Sequence, residues 1–236
     1  MSALELLSFG DSGWGDEIAH GVFITVALSL SALPIGLFIG FLVSLAKQSR
    51  EKTLRISADI YTTIFRGLPE LLTIFMVYFG LQIAIRNIAI ALGFESGFEI
   101  SAFLAGLIAL SLVFSAYTSE VFLSAFRAIP KGQYEGGFAV GLTRRQTMQK
   151  IILPQLIKIA LPGLGNLWMI LLKDTALISV IGLSDIMRQT SIAARVTKEP
   201  FLFYGTACLL FLILALLSSV VFSRIEKSSK KSEALK

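Results

Sequence analysis

Two stretches of the chain, Val22 to Ala46 and Phe201 to Phe222, contain no Asp, Glu, Lys or Arg. Coiled as a helix, the first is about 38 Å long at 1.5 Å per residue, more than the roughly 30 Å hydrocarbon layer of a bilayer. Lipid offers the backbone no hydrogen-bond partners, so such a run crosses the membrane as a tilted helix. Pro34 lies inside it, where a kink is tolerated if neighbours satisfy the freed carbonyl. Three further apolar segments follow the same logic: Ile56 to Ile85, interrupted by Arg66-Gly67-Leu68-Pro69-Glu70; Ile100 to Ser119; and Leu156 to Leu183, broken by Lys173-Asp174. Only 16% of the 236 residues are charged, against about a quarter in a soluble domain, too few to cover a water-facing surface. The reading is an all-α membrane protein with five transmembrane helices. It excludes a secreted disulfide scaffold, a disordered chain and most soluble enzymes.

The distribution of basic residues sets the orientation. Lys47, Arg50, Lys52 and Arg55 lie between spans one and two, and Arg127, Lys131, Arg144, Arg145, Lys150 and Lys158 lie around the connection between three and four. The tail adds Arg224, Lys227, Lys230, Lys231 and Lys236, so these regions hold 15 of the 21 Lys and Arg residues. The opposite side holds Arg86, Arg188, Arg195 and Lys198. By the positive-inside rule the N-terminus is outside and the C-terminus cytoplasmic, which five spans satisfy. The expected organisation is an extracytoplasmic segment over 1–21, one membrane domain over 22–222 and a cytoplasmic basic tail over 223–236. The first twenty residues carry Glu5, Asp11, Asp16 and Glu17 but no Lys or Arg, the wrong start for a signal peptide, so the first span is expected to be retained. The lone Cys208 allows no internal disulfide or multi-cysteine metal site, and His20 has no nearby metal-ligating partner in sequence, so no metal is expected. No internal repeat is evident, which counts against the inverted-repeat design of many secondary transporters.

Residues 129–158 form a cytoplasmic loop that is amphipathic rather than floppy. Gln133 to Val140 suits a short helix ending at Gly141, since glycine accepts the positive φ of a helix C-terminus. Thr143-Arg144-Arg145-Gln146 reads as a capping box opening a second helix that runs towards Pro154. Two short helices with a tight corner make a rigid knob suited to docking a soluble partner.

At these positions the chain resembles a known family. Glu135-Gly136-Gly137, Gly141, Ile151, Leu153 and Pro154 have the spacing of the "EAA" loop of ATP-binding-cassette importer permeases: Glu-Ala-Ala, three residues, Gly, nine residues, Ile, one residue, Leu-Pro. The departure is Gly136-Gly137 in place of two alanines, each glycine costing about 1 kcal/mol in a helix. Arg66-Gly67-Leu68-Pro69-Glu70-Leu71, Tyr117-Thr118-Ser119-Glu120-Val121-Phe122, Ala128-Ile129-Pro130-Lys131-Gly132-Gln133 and Leu172-Lys173-Asp174-Thr175-Ala176-Leu177 are similar to the polar amino-acid uptake branch, with permeases for histidine, arginine, octopine and nopaline nearest in likeness. The resemblance implies a five-span permease of the bacterial cytoplasmic membrane with a coupling-helix loop, the type I importer fold. It also implies a second permease, sister or identical, two ATPase subunits that bind ATP and Mg, and an extracytoplasmic substrate-binding protein. Glu135, Gly136, Gly137, Gly141, Thr143, Arg144, Ile151, Leu153 and Pro154 are then the expected ATPase-coupling residues.

The chain has no Gly-x-x-x-x-Gly-Lys-Ser/Thr loop to hold nucleotide phosphates, so it is read as a transport subunit without its own ATPase, carrying no cofactor and binding no nucleic acid. Within the membrane, a carboxylate costs a few kcal/mol and tends to face a pathway or a counter-charge. Glu70 is the first candidate for attracting the cationic part of a basic amino acid or opine; the competing reading is that Arg66, four residues earlier on the same helical face, neutralises it, or that both sit near a membrane interface. Asn166, Trp168 and Asp174 complete the expected substrate-binding set: Asn166 for amino or carboxyl groups and Asp174 for a cation, with a structural gate or interhelical hydrogen bond as the competing reading, and Trp168 read first as a packing aromatic. An ion-coupled secondary amino-acid carrier, with Glu70 or Asp174 carrying protons, is the alternative function. An intramembrane enzyme lacks a nucleophile and base set.

Overall fold

The structure, a computed structural model, describes residues 3–10, 13–93 and 100–234; Asp11 and Lys236, counted above for topology, lie outside the described residues. The described residues are nearly all helical: α1 Ala3–Leu6, α2 Gly15–Lys47, α3 Lys52–Gly67, α4 Glu70–Ala91, α5 Ala102–Ala128, α6 Lys131–Ala139, α7 Arg144–Thr147, α8 Leu153–Asp174, α9 Ile186–Thr197 and α10 Pro200–Ala234. A π-helical turn, Met148–Ile152, joins α7 to α8, and a 3₁₀ segment, Thr175–Ile181, continues α8. Among the described residues five helical stretches are long and apolar enough to cross a bilayer: α2, α4, α5, Arg144–Ile181 and the first part of α10.

Three expectations change in detail. The apolar segment from Ile56 to Ile85 is not one helix. Leu68 is extended (φ −90°, ψ 145°), as the residue before a proline prefers, and Pro69 supplies no N–H, so the chain breaks into α3 and α4. Only α4 is a candidate span; α3 is amphipathic, burying Ala58 and Thr62 while Leu54, Ile56, Ile60 and Ile64 stay exposed. The third span reaches Ala128 rather than Ser119. The helix opened by Thr143 does not stop at Pro154 but continues into span four, because Pro154 sits in the first turn of α8, next to the widened turn.

Packing centres on α5, the most buried of the spans. Small residues let α2 lie directly against it: a Cβ on Gly36 would stand 2.5 Å from Phe114 Cδ1, and one on Gly40 would stand 2.8 Å from the Ser115 carbonyl. Thr118 Oγ1 donates to the Gly36 carbonyl at 3.2 Å. Leu28, Phe114, Leu171 and Ile178 fill the core between α2, α5 and the fourth span. A second cluster, Phe122, Phe126, Ile152 and Leu156, joins the far end of α5 to the base of α8. At the other end, α9 begins against α2: Asp185 Oδ1 accepts from the Arg188 N–H, and the Ile186 N–H donates to Thr25 Oγ1.

Candidate functional site

The knob begins where α6 leaves α5. It ends in a Schellman motif, with the Leu142 N–H donating to the Gly137 carbonyl and the Gly141 N–H to the Phe138 carbonyl, both at 3.0 Å. That closure puts Gly141 at φ +80°, where a side chain would be strained. Two residues later Thr143 forms the full capping box: its Oγ1 accepts from the Gln146 N–H at 3.3 Å, and Gln146 Oε1 accepts from the Thr143 N–H at 2.9 Å. The Gln133 and Gln155 amides bond at 3.0 Å, tying α6 to α8.

The two glycines that replace alanines play different parts. A Cβ on Gly137 would lie 2.6 Å from Thr147 Cγ2 and 3.1 Å from Ile151 Cδ1, so the close approach of α6 to the turn behind it depends on glycine there. A Cβ on Gly136 would meet nothing within 4 Å. Behind the corner, Thr147, Ile152 and Leu156 are buried. In front, Glu135, Arg144 and Arg145 are exposed, together with Phe138 and Val140, the latter 75% accessible. A stiff corner with an apolar and charged outer surface can press against another protein and transmit force into the helix behind it.

That helix leads to the second region. From Arg144 to Asp174 the helical path is about 45 Å. Asp174 lines a small recess with Glu70 and Tyr117, walled by Ile74, Phe114 and Leu171. Glu70 occupies the first turn of α4, where the helix dipole favours a carboxylate, and it accepts a 3.5 Å hydrogen bond from the Tyr117 hydroxyl. The recess is about 10 Å³, the room of a single water, so this subunit by itself does not enclose an amino acid.

Arg66 is not the neutralising partner of Glu70. The break at Leu68-Pro69 takes the two residues off a common helical face, and Arg66 instead reaches Glu120 of α5 at 3.3 Å and lies over the Tyr117 ring. Glu120 is also held by Lys47, which reaches Asp59 at 3.4 Å. Asn166 is exposed and does not line the recess; Trp168 is buried in the core against Phe222, with ring centroids 6.4 Å apart. Tyr117, Lys47 and Glu120 were not expected at the site: Lys47 counted only towards topology, and Tyr117 and Glu120 only towards the family resemblance. The signal available was charge: Lys47 and Glu120 sit at or near the ends of apolar runs, where an opposite charge is the expected companion.

The sequence matches the family described as binding-protein-dependent transport system inner membrane components over residues 11–228. The chain belongs to that family. The nopaline transport system permease protein NocQ of Agrobacterium fabrum is 44% identical over 225 residues, covering 95% of each chain. The octopine permease protein OccQ of Rhizobium meliloti is 40% identical, covering 98% of each. The histidine/lysine/arginine/ornithine permease protein HisQ of Salmonella typhimurium is 36% identical, covering 91% of this chain and 94% of that one. The crystal structure of an amino acid ABC transporter with histidines superposes at a TM-score of 0.76 with 31% identity, covering 91% of this chain and 95% of that one. The inward-facing methionine transporter MetNI, at 20% identity and a TM-score of 0.71, shares the fold.

Membership of the family makes the chain a multi-pass permease component of the cytoplasmic membrane and does not favour the ion-coupled carrier. In this chain the second half of the knob and Asp174 of the recess lie on one helical stretch, Arg144–Ile181.

Proposed function

We propose that this chain is one of two permease subunits of an ATP-driven importer for a basic amino acid or an opine built on one. The reading is supported most by a single observation: Asp174 stands on the same helical path as the knob and shares a recess with Glu70, brought in from α4. Two carboxylates at one low-polarity site favour a cationic guest. The names of the relatives, which include nopaline, octopine, histidine, lysine and arginine, point the same way.

Energy enters from two ATPase subunits that bind ATP and Mg. Glu135, Gly141, Thr143, Arg144 and the Ile151–Pro154 turn form the surface and frame of the docked knob, which faces the cytoplasm, with the N-terminus outside. Closure of the ATPase pair displaces the knob; the displacement passes along Arg144–Ile181 and changes the exposure of Asp174 to either side. A second permease, sister or identical, completes the cavity that this subunit leaves too small, and a binding protein delivers substrate outside.

Purification of the complex with its co-purifying chains, followed by ATPase measurements with the loaded binding protein, tests this. Stimulation by arginine, histidine or an opine, and little by citrulline, is expected. Stimulation by neutral amino acids alone refutes the substrate class, and uptake in vesicles that contain no ATPase subunits refutes the coupling.

A further inference from the structure

The recess has two carboxylates within it and a guanidinium at its rim whose hydrogen-bonding capacity is mostly unspent. Arg66 Cζ lies 5.8 Å from the centroid of the Tyr117 ring, and the hydroxyl of the same tyrosine reaches Glu70. Opposite charges therefore flank one aromatic side chain, the guanidinium over its face and the carboxylate at its hydroxyl. Arg66 makes one ion pair among the described residues, Nη1 to Glu120, and Glu120 already has Lys47. A guanidinium presents five N–H donors in a planar fork, and the Arg66 side chain is 44% exposed, so donors not turned to Glu120 are open beside the ring. Lys47, Arg66, Asp59 and Glu120 balance one another. Glu70 and Asp174 make no ion pair within 4 Å among the described residues; Lys173, next to Asp174 in sequence, lines a different groove with Met187, Tyr204 and Cys208.

We propose that Arg66 binds the carboxylate of the transported amino acid while Glu70 and Asp174 take its cationic groups, which makes Arg66 a specificity-determining residue. The proposal rests on the basic-substrate reading above. A basic amino acid carries two cations and one carboxylate, and the three side chains present the inverse pattern. The fork suits a planar carboxylate, where an ammonium would act only as a point charge. Tyr117 sets the spacing, bonded to Glu70 at its hydroxyl and covered by Arg66 on its face.

The test is equilibrium binding to the purified permease and ATPase complex, without binding protein, of three ligands: arginine, agmatine, which lacks the carboxylate, and citrulline, which has a neutral end in place of the guanidinium. The wild-type complex should prefer arginine over either by about tenfold or more. Arg66→Gln should bring the arginine-to-agmatine ratio close to one and keep the preference for arginine over citrulline; Glu70→Gln should do the reverse. Arg66→Lys, which keeps the charge and loses the fork, should give an intermediate arginine-to-agmatine ratio, and it decides the matter if Arg66→Gln does not assemble. A preference for arginine over agmatine that survives in the variants, or an equal loss of all three ligands, overturns the proposal and leaves Arg66 as a brace between α3 and α5. Equal wild-type binding of arginine and citrulline, with discrimination against agmatine still abolished by Arg66→Gln, refutes the basic-substrate reading alone.

Discussion

In the knob, position is set by the main chain: a Schellman closure at Gly141, a capping box at Thr143 and a glycine contact at Gly137 fix three turns in under a dozen residues. Around Glu70 the main chain only delivers side chains, from α2, α3, α4, α5 and α8, and the arrangement is held by Tyr117, Arg66, Glu120 and Lys47. The difference is one of task. A surface that passes on movement must hold its shape under load, and short-range hydrogen bonds between near neighbours in sequence do that. A surface that meets a guest and then releases it works through charges on separate helices, whose spacing alters when the helices shift.

Changes in the two regions should therefore fail differently. Glu70→Ala is expected to have the largest effect, lowering transport of cationic substrates by about tenfold to a hundredfold, with assembly and basal ATPase activity unaltered. Equal loss for neutral and cationic substrates would erase the functional distinction between recess and knob. Gly137→Ala should be next. Overpacking against the buried Thr147 costs about 1–3 kcal/mol, and substrate binding should persist while uptake per ATP hydrolysed falls. A Gly137→Ala complex with normal coupling would show that the close approach is incidental. Thr143→Ala removes one half of the capping box and should cost about 1 kcal/mol, visible as a lower melting temperature of the assembled complex with a partial uptake defect. The smallest effect has the opposite sign: Gly136→Ala meets open space and should stabilise α6 by a few tenths to about 1 kcal/mol with uptake unchanged. A destabilised Gly136→Ala variant would mean that this position is covered by a partner.

The same contrast explains what the sequence disclosed. Gly141 and Thr143-x-x-Gln146 are local signals, legible because each specifies its own backbone geometry within a few residues. The five spans were legible from long apolar runs, two of them interrupted by charges, but their ends were not. Arg66 to Glu70 read as an interruption within a span, whereas the physical event is a proline forcing its predecessor extended, which ends one helix and starts another. Hence Arg66 and Glu70 were wrongly placed on a single face. Glu70 and Asp174 could be named from the cost of charge in lipid, but their meeting at Tyr117 depends on packing between helices some hundred residues apart in the chain. The unequal roles of Gly136 and Gly137 were equally hidden, since only the neighbour across the corner, Thr147, distinguishes them.

The widened turn at Met148–Ile152 carries one residue more than regular winding needs. That surplus acts as slack in a drive shaft: re-coiling it would rotate the part beyond Pro154 by about a quarter turn against the corner, since successive residues are about 100° apart in a regular helix. A small push at the base can thus emerge as a swivel farther along, and excising one residue between Met148 and Ile152 would lock the shaft.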